Sequence, residues 1–257
     1  MGTRTVNRFA NGVGRFFKVE AGGELTTENL ELTRGSLTSD YSDQFGAGAI
    51  LIAPGGAATA RSCQFVENSG SLPGDAGNAG AVLVGDMYDP LAAASFVAED
   101  CVFRGNYGGE GGAVFVGQYS TFDCVGCVFE ANIAAAGSGG VHAGGAIYVG
   151  DRAERVNVTD TTFLSNVAEF SGGAVFLYGE DATFTATNCT FRGNLGGVGG
   201  DGGGAIGGYG HVAVHDCTFD WIFAPNPYGL NEVQASDFET YVCTGDCDIP
   251  CEGCSDF

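Results

Sequence analysis

Gly111-Gly-Ala-Val-Phe-Val116, then Cys127-Val-Phe-Glu-Ala-Asn132, then Gly144-Gly-Ala-Ile-Tyr-Val149, then Thr161-Thr-Phe-Leu-Ser-Asn166 alternate along the middle of the chain. Two short signatures taking turns at a fixed beat mark an internal repeat. The first, Phe-x-x-Asn, is intact at Phe65–Asn68, Phe103–Asn106, Phe129–Asn132, Phe163–Asn166 and Phe191–Asn194, and decays at Phe219. The second places an alanine at Ala49, Ala81, Ala113, Ala146, Ala174 and Ala205, intervals of 28 to 33 residues.

Each period reads as three strands. After Gly-Ala come short apolar triplets such as Val114-Phe-Val116 and Ile147-Tyr-Val149, bounded by glycine, which form strand A. The seventh and fifth residues before each motif phenylalanine are apolar, as in Phe122/Cys124, Val156/Val158 and Phe184/Ala186, a period of two that makes strand B. Asp100, Asp160, Asn188 and Asp216 then supply side chains suited to left-handed backbone at a sharp bend. Strand C follows, with cysteine and phenylalanine sharing one face and the motif asparagine closing the strand at a turn. Leu25, Asn29, Leu30 and Leu32 fill the same slots one turn earlier.

Three strands per turn without helical periodicity predict an all-β, right-handed parallel β-helix of about seven three-strand coils, roughly 30 Å long at ~4.8 Å per stacked strand. A β-propeller needs roughly 40–45 residues and four strands per blade, more than these periods hold. The chain divides into residues 1–16 as an N-terminal cap or truncated start, 17–222 as the β-helix, and 223–257 as a C-terminal cap with a short cysteine-rich tail.

Composition excludes some roles. Ten cysteines, 45 glycines, a net charge of -21 and one lysine, Lys18, among ten basic residues leave a pI of about 4.1. Phosphate neutralisation needs Lys and Arg, so no nucleic-acid partner is expected. No apolar run is long enough to span a bilayer, so no membrane insertion is expected, and Met1 to Lys18 lacks the apolar core of a secretory signal. The balance suits an extracellular or cell-surface chain.

The cysteines fall into two groups. Cys63, Cys101, Cys127, Cys189 and Cys217 precede the motif phenylalanine by two and stack inward as small, free thiols, with Cys124 as filling in strand B. Cys243, Cys247, Cys251 and Cys254 lie in the tail, where two disulfides stapling the end of the coil are the first reading and a four-thiolate zinc site the second. The spacing Cys247-x3-Cys251-x2-Cys254 also matches the iron–sulfur motif of radical enzymes that cleave S-adenosylmethionine, chemistry that comes with an α/β barrel this pattern lacks. Gly196-Gly-Val-Gly-Gly-Asp201 is a single copy of a calcium nonapeptide that works in consecutive copies. No cofactor or metal is expected.

A polysaccharide lyase, hydrolase or epimerase of the pectin-lyase-like type needs a base beside clustered carboxylates. Glu99, Asp123 and Asp160 share a neighbourhood, yet nothing in their spacing selects two of them, and His211 and His215 lie about 13 Å apart on one strand. No catalytic residue is assigned. Thr183, Thr185 and Thr187 line one face of strand B but are not repeated in the neighbouring turns, which breaks an ice-binding array. With the branched residues of strand A inward, Leu51, Leu83, Phe115, Tyr148 and Phe176 stack outside, so Leu83, Phe115, Tyr148 and Phe176 are the candidate binding residues unless a loop covers them. The segments 69–79, 107–110, 133–143, 167–171 and 195–202 vary in length at one corner, the mark of a recognition edge.

Over residues 46–220 the alternating Phe-x-x-Asn and Gly-Gly-Ala-(Ile/Val) motifs resemble the repeats of chlamydial polymorphic membrane proteins. That resemblance implies a surface adhesin, with Phe163–Asn166, Gly172–Val175 and their counterparts as its repeat elements. In that family a C-terminal membrane barrel carries the repeats outward; this chain has a cysteine-rich tail in that place. The combined expectation is a non-enzymatic, secreted or surface-displayed β-helix with an adhesive, structural or recognition role, its partner a glycan or a cell-surface protein. The alternative is a carbohydrate-active enzyme.

Overall fold

A computed structural model of the chain describes residues 4–7, 14–36, 46–70, 79–86, 92–135, 142–197, 204–220 and 240–244, and every element in them is a strand or a turn. Four parallel sheets wrap one interior as a β-solenoid. The A sheet holds seven strands, from Phe17–Val19 through Val114–Val116 and Ile147–Val149 to Ile206–Gly208. The B sheet holds eight, from Glu24–Glu28 through Thr121–Val125 to Thr240–Thr244, and the C sheet holds eight, from Arg4–Asn7 through Val128–Glu130 to Thr218–Asp220. Each strand pairs in register with its equivalent one turn away, so Phe103 lies opposite Phe65 and Phe129.

Register turns each repeat position into a ladder. The rings of Phe65, Phe103, Phe129, Phe163, Phe191 and Phe219 stack with centroids 4.6–5.0 Å apart and planes within 6°. Phe96 and Phe122 form a second stack at 5.3 Å. The strand spacing dictates these distances, and rings of equal size stack face on in the interior.

The bend between B and C is left-handed, as its residue types predict: Asn29, Ser62, Asp100, Asp160, Asn188 and Asp216 have φ of 49–54°. A second left-handed corner sits one residue before the motif asparagine, at Glu67, Ala131 and Ser165, with φ of 52–53°. Nothing in those residue types announces it. The asparagines hold it in place. From Asn68 to Asn166 each buried amide donates Nδ2 to the next asparagine's Oδ1, and that oxygen also accepts the preceding asparagine's backbone N–H, as in Asn106 to Asn132 at 2.9 and 3.1 Å.

Beyond this corner the chain forms a fourth, unforeseen sheet of four two-residue strands, Tyr107–Gly108, Ile133–Ala134, Val167–Ala168 and Leu195–Gly196. Two residues are too few to display a period of two. Glycine then permits close approach: a Cβ on Gly112 would stand 2.6 Å from the Ile133 backbone nitrogen.

Candidate functional site

Leu83, Phe115, Tyr148 and Phe176, expected on the surface, are buried. With Leu51 they form a second apolar cluster, separate from the main core and closed by Ala47, Ala79 and Ala143. The alanines lie just ahead of the A strands, at the ends of the corner segments of variable length. The A triplets are apolar at all three positions, the pattern of a strand covered on both faces. These four residues therefore support a surface rather than form one.

The surface lies where that cluster reaches solvent. Phe170 is 55% exposed and meets the edge of Phe176 at 6.5 Å and 78°. Tyr178 is 43% exposed and stacks on Tyr148 at 6.2 Å. Tyr209, 53% exposed, follows Gly208, which pairs with Leu177, so Tyr178 and Tyr209 occupy the same place in successive turns. The three earlier turns carry glycine there, at Gly85, Gly117 and Gly150, and make the same backbone bond to the strand below. The fold therefore does not require the tyrosines. In the last turn the buried Gly207 and Gly208 oppose Phe176 and Leu177.

A polar rim adjoins them at the A-to-B corner. Asp151 lies over Gly179, the residue after Tyr178, where a Cβ would meet its Oδ1 at 2.3 Å. Arg152 stands 3.8 Å from the half-buried Asp151 and 3.6 Å from the exposed Asp181. A hydrogen bond with Tyr119, and then the nearby negative groups, raises the pKa of the Arg152 guanidinium, so it stays charged. Tyr119 and Arg152 share left-handed backbone, φ 55° and 54°. The corner thus presents one cation, Asp151, Asp181 and the intervening Glu180 beside exposed rings.

The other candidates are engaged elsewhere. Asp123 accepts two bonds from Arg155, at 2.6 and 3.2 Å, and one from Asn157 at 3.1 Å. Glu99 accepts from Arg61 at 2.8 Å and Asp160 from Asn188 at 2.5 Å. Each of these carboxylates is neutralised or bonded by a neighbouring turn. His211 and His215 lie in register with Thr183 and Thr187 on one strand, and Lys18 pairs with Glu20 at 3.2 Å. Among the described residues no three His, Cys, Asp or Glu stand together as a metal site. A column of partly exposed apolar residues runs along the fourth sheet, Tyr107, Ile133, Val167 and Leu195.

Six cysteines are free and buried. Their thiols do more than fill space: each of the five ahead of the motif phenylalanine donates to the carbonyl two residues back, at 3.2–3.5 Å. Thr161 holds the same slot and donates to Thr159 at 2.8 Å. Burial, followed by the neighbouring thiols, raises the pKa of Cys124. Since threonine already serves this slot, Cys189→Thr should change stability by less than about 1 kcal/mol, whereas Cys189→Ala, lacking the donor, should cost about 1–2 kcal/mol. Urea denaturation checks both. In the tail, Cys243 lies opposite Val214 in the last B strand; Cys247, Cys251 and Cys254 fall outside the described residues, and the disulfide reading with them.

Comparison with protein-family models, curated proteins and solved structures finds no match, so the functional reading rests on the chain's own geometry.

Proposed function

We propose that this solenoid is a non-enzymatic recognition protein of the cell surface or extracellular space, and that it holds its partner on the platform of Phe170, Tyr178 and Tyr209. The observation that carries this reading is the replacement of glycine by tyrosine in two successive turns, with both rings left on the surface. Large exposed aromatics keep apolar surface in water, and they are the side chains on which contact energy concentrates. The cluster beneath makes the platform rigid. Tyr148 and Phe176 are clamped between the main core and the corner segments, so binding need not order them.

The low content of Lys and Arg, the engagement of Glu99, Asp123 and Asp160 by neighbouring turns, and the likeness to adhesin repeats support the same reading.

The test is capture on an array of glycans and cell-surface proteins by the wild type and by a Phe170→Ser/Tyr178→Ser/Tyr209→Ser variant. The expected result is specific capture that falls at least tenfold in the variant, with the thermal midpoint shifted by only a few degrees. Equal capture by both proteins would overturn the assignment of the platform.

A further inference from the structure

The geometry points to a neutral oligosaccharide as the occupant of the Tyr178/Tyr209 platform, an inference that rests on the recognition reading and names its ligand class. Two exposed tyrosines stand in equivalent places of adjacent turns, one strand spacing apart along the solenoid axis. An aromatic face is electron-rich, and the C–H groups on one side of a pyranose ring carry the complementary partial charge. Consecutive rings suit a chain of consecutive sugars.

The rim supplies the rest of the recognition chemistry. Asp151 packs against Gly179, the residue after Tyr178, and Arg152 pairs with both Asp151 and Asp181. A carboxylate accepts from two vicinal hydroxyls at once, and a guanidinium donates to hydroxyl or ring oxygens in a fixed fork. Arg152 is held by Tyr119, and at separations of 3.8 and 3.6 Å Asp151 and Asp181 keep acceptor capacity for such hydroxyls. An apolar peptide segment would leave these charges desolvated and unmatched.

Charge decides the kind of sugar. Asp151, Glu180 and Asp181 outweigh Arg152 at the rim, and the whole chain carries -21. Uronate and sulfated chains are repelled, while hydroxyl-bearing neutral chains meet acceptors that suit them.

The experiment is isothermal titration calorimetry with hexasaccharides: neutral glucan and mannan hexamers against a hexagalacturonate. It uses the full chain as wild type, Tyr178→Ala, Tyr209→Ala, the double variant and Asp151→Asn, each with its thermal melt recorded. The expected result is binding of a neutral hexamer, weakened about three- to tenfold by each tyrosine substitution and lost in the double variant. Asp151→Asn should weaken it several-fold without moving the melt. Binding of the hexagalacturonate as tightly as the neutral chains, or unchanged neutral binding in the double variant, would overturn the inference. If no sugar binds while the tyrosine variants lose capture of a surface protein on the array, the sugar assignment fails and the recognition reading survives. Tyrosine variants that alter neither assay remove both.

Discussion

The Gly145→Ala variant is expected to lose about 3 kcal/mol or more of stability, or to fail to fold. A Cβ at this position would stand 2.0 Å from the Gly173 carbonyl oxygen and 2.7 Å from the Val167 backbone. Every atom in its way is main chain, which cannot swing aside as a side chain tip can. Gly80, Gly112 and Gly173 show the same crowding from successive turns, so relief requires the stack to open across the whole corner. Gly105→Ala is the control. Its φ of 62° carries a left-handed penalty of about 1 kcal/mol, yet the nearest atom to a new Cβ is 3.8 Å away, and Ala131 already occupies the equivalent place at φ 52°. Chemical denaturation of the two alanine variants should separate them clearly. Equal losses would mean that backbone conformation, not rung contact, explains the glycines.

Asn132→Ala is expected to cost about 3–5 kcal/mol, because it orphans several buried groups at once. The Asn132 Oδ1 accepts from the backbone N–H and the Nδ2 of Asn106 at 3.1 and 2.9 Å. Its Nδ2 donates to the Phe103 carbonyl and to Asn166 Oδ1, both at 2.9 Å. The asparagine is fully buried, so its partners lose these bonds without access to bulk solvent. Asn132→Asp gives a pH test of the same geometry. The new carboxylate would face two oxygens where Nδ2 donated, so burial and these acceptors raise its folded-state pKa above the unfolded value. Such a group is tolerated when protonated and destabilises when charged. Stability relative to the wild type should therefore be lower at pH 7 than at pH 4, the loss setting in as pH rises through the unfolded carboxylate range. A wild-type-like melt at pH 7 would show that the Nδ2 donations contribute little.

How far the sequence could be read depended on repetition and contrast. The phenylalanine and asparagine positions recur with polar neighbours, so ladder and strand C were legible, as were the aspartate and asparagine bends. The corner at Glu67, Ala131 and Ser165 was not, because those side chains have no left-handed preference and the asparagine after them enforces the conformation. The A strands misled in one respect. Phe115 and Tyr148 alternate correctly with Val114, Val116, Ile147 and Val149, but alternation cannot distinguish a face open to water from one covered by a distant alanine such as Ala143. The signal for the actual surface was present in the turns: glycine after strand A at Gly85, Gly117 and Gly150 gives way to Tyr178 and Tyr209. Reading the repeats for where they depart from one another, rather than where they agree, would have found it.

The most direct test of the account is hydroxyl-radical footprinting of the protein with a captured partner, together with mass analysis of that partner before and after incubation. The account predicts protection of Phe170, Tyr178 and Tyr209 and a partner of unchanged mass. Unprotected rings, or a partner shortened or bearing new unsaturation, would contradict it.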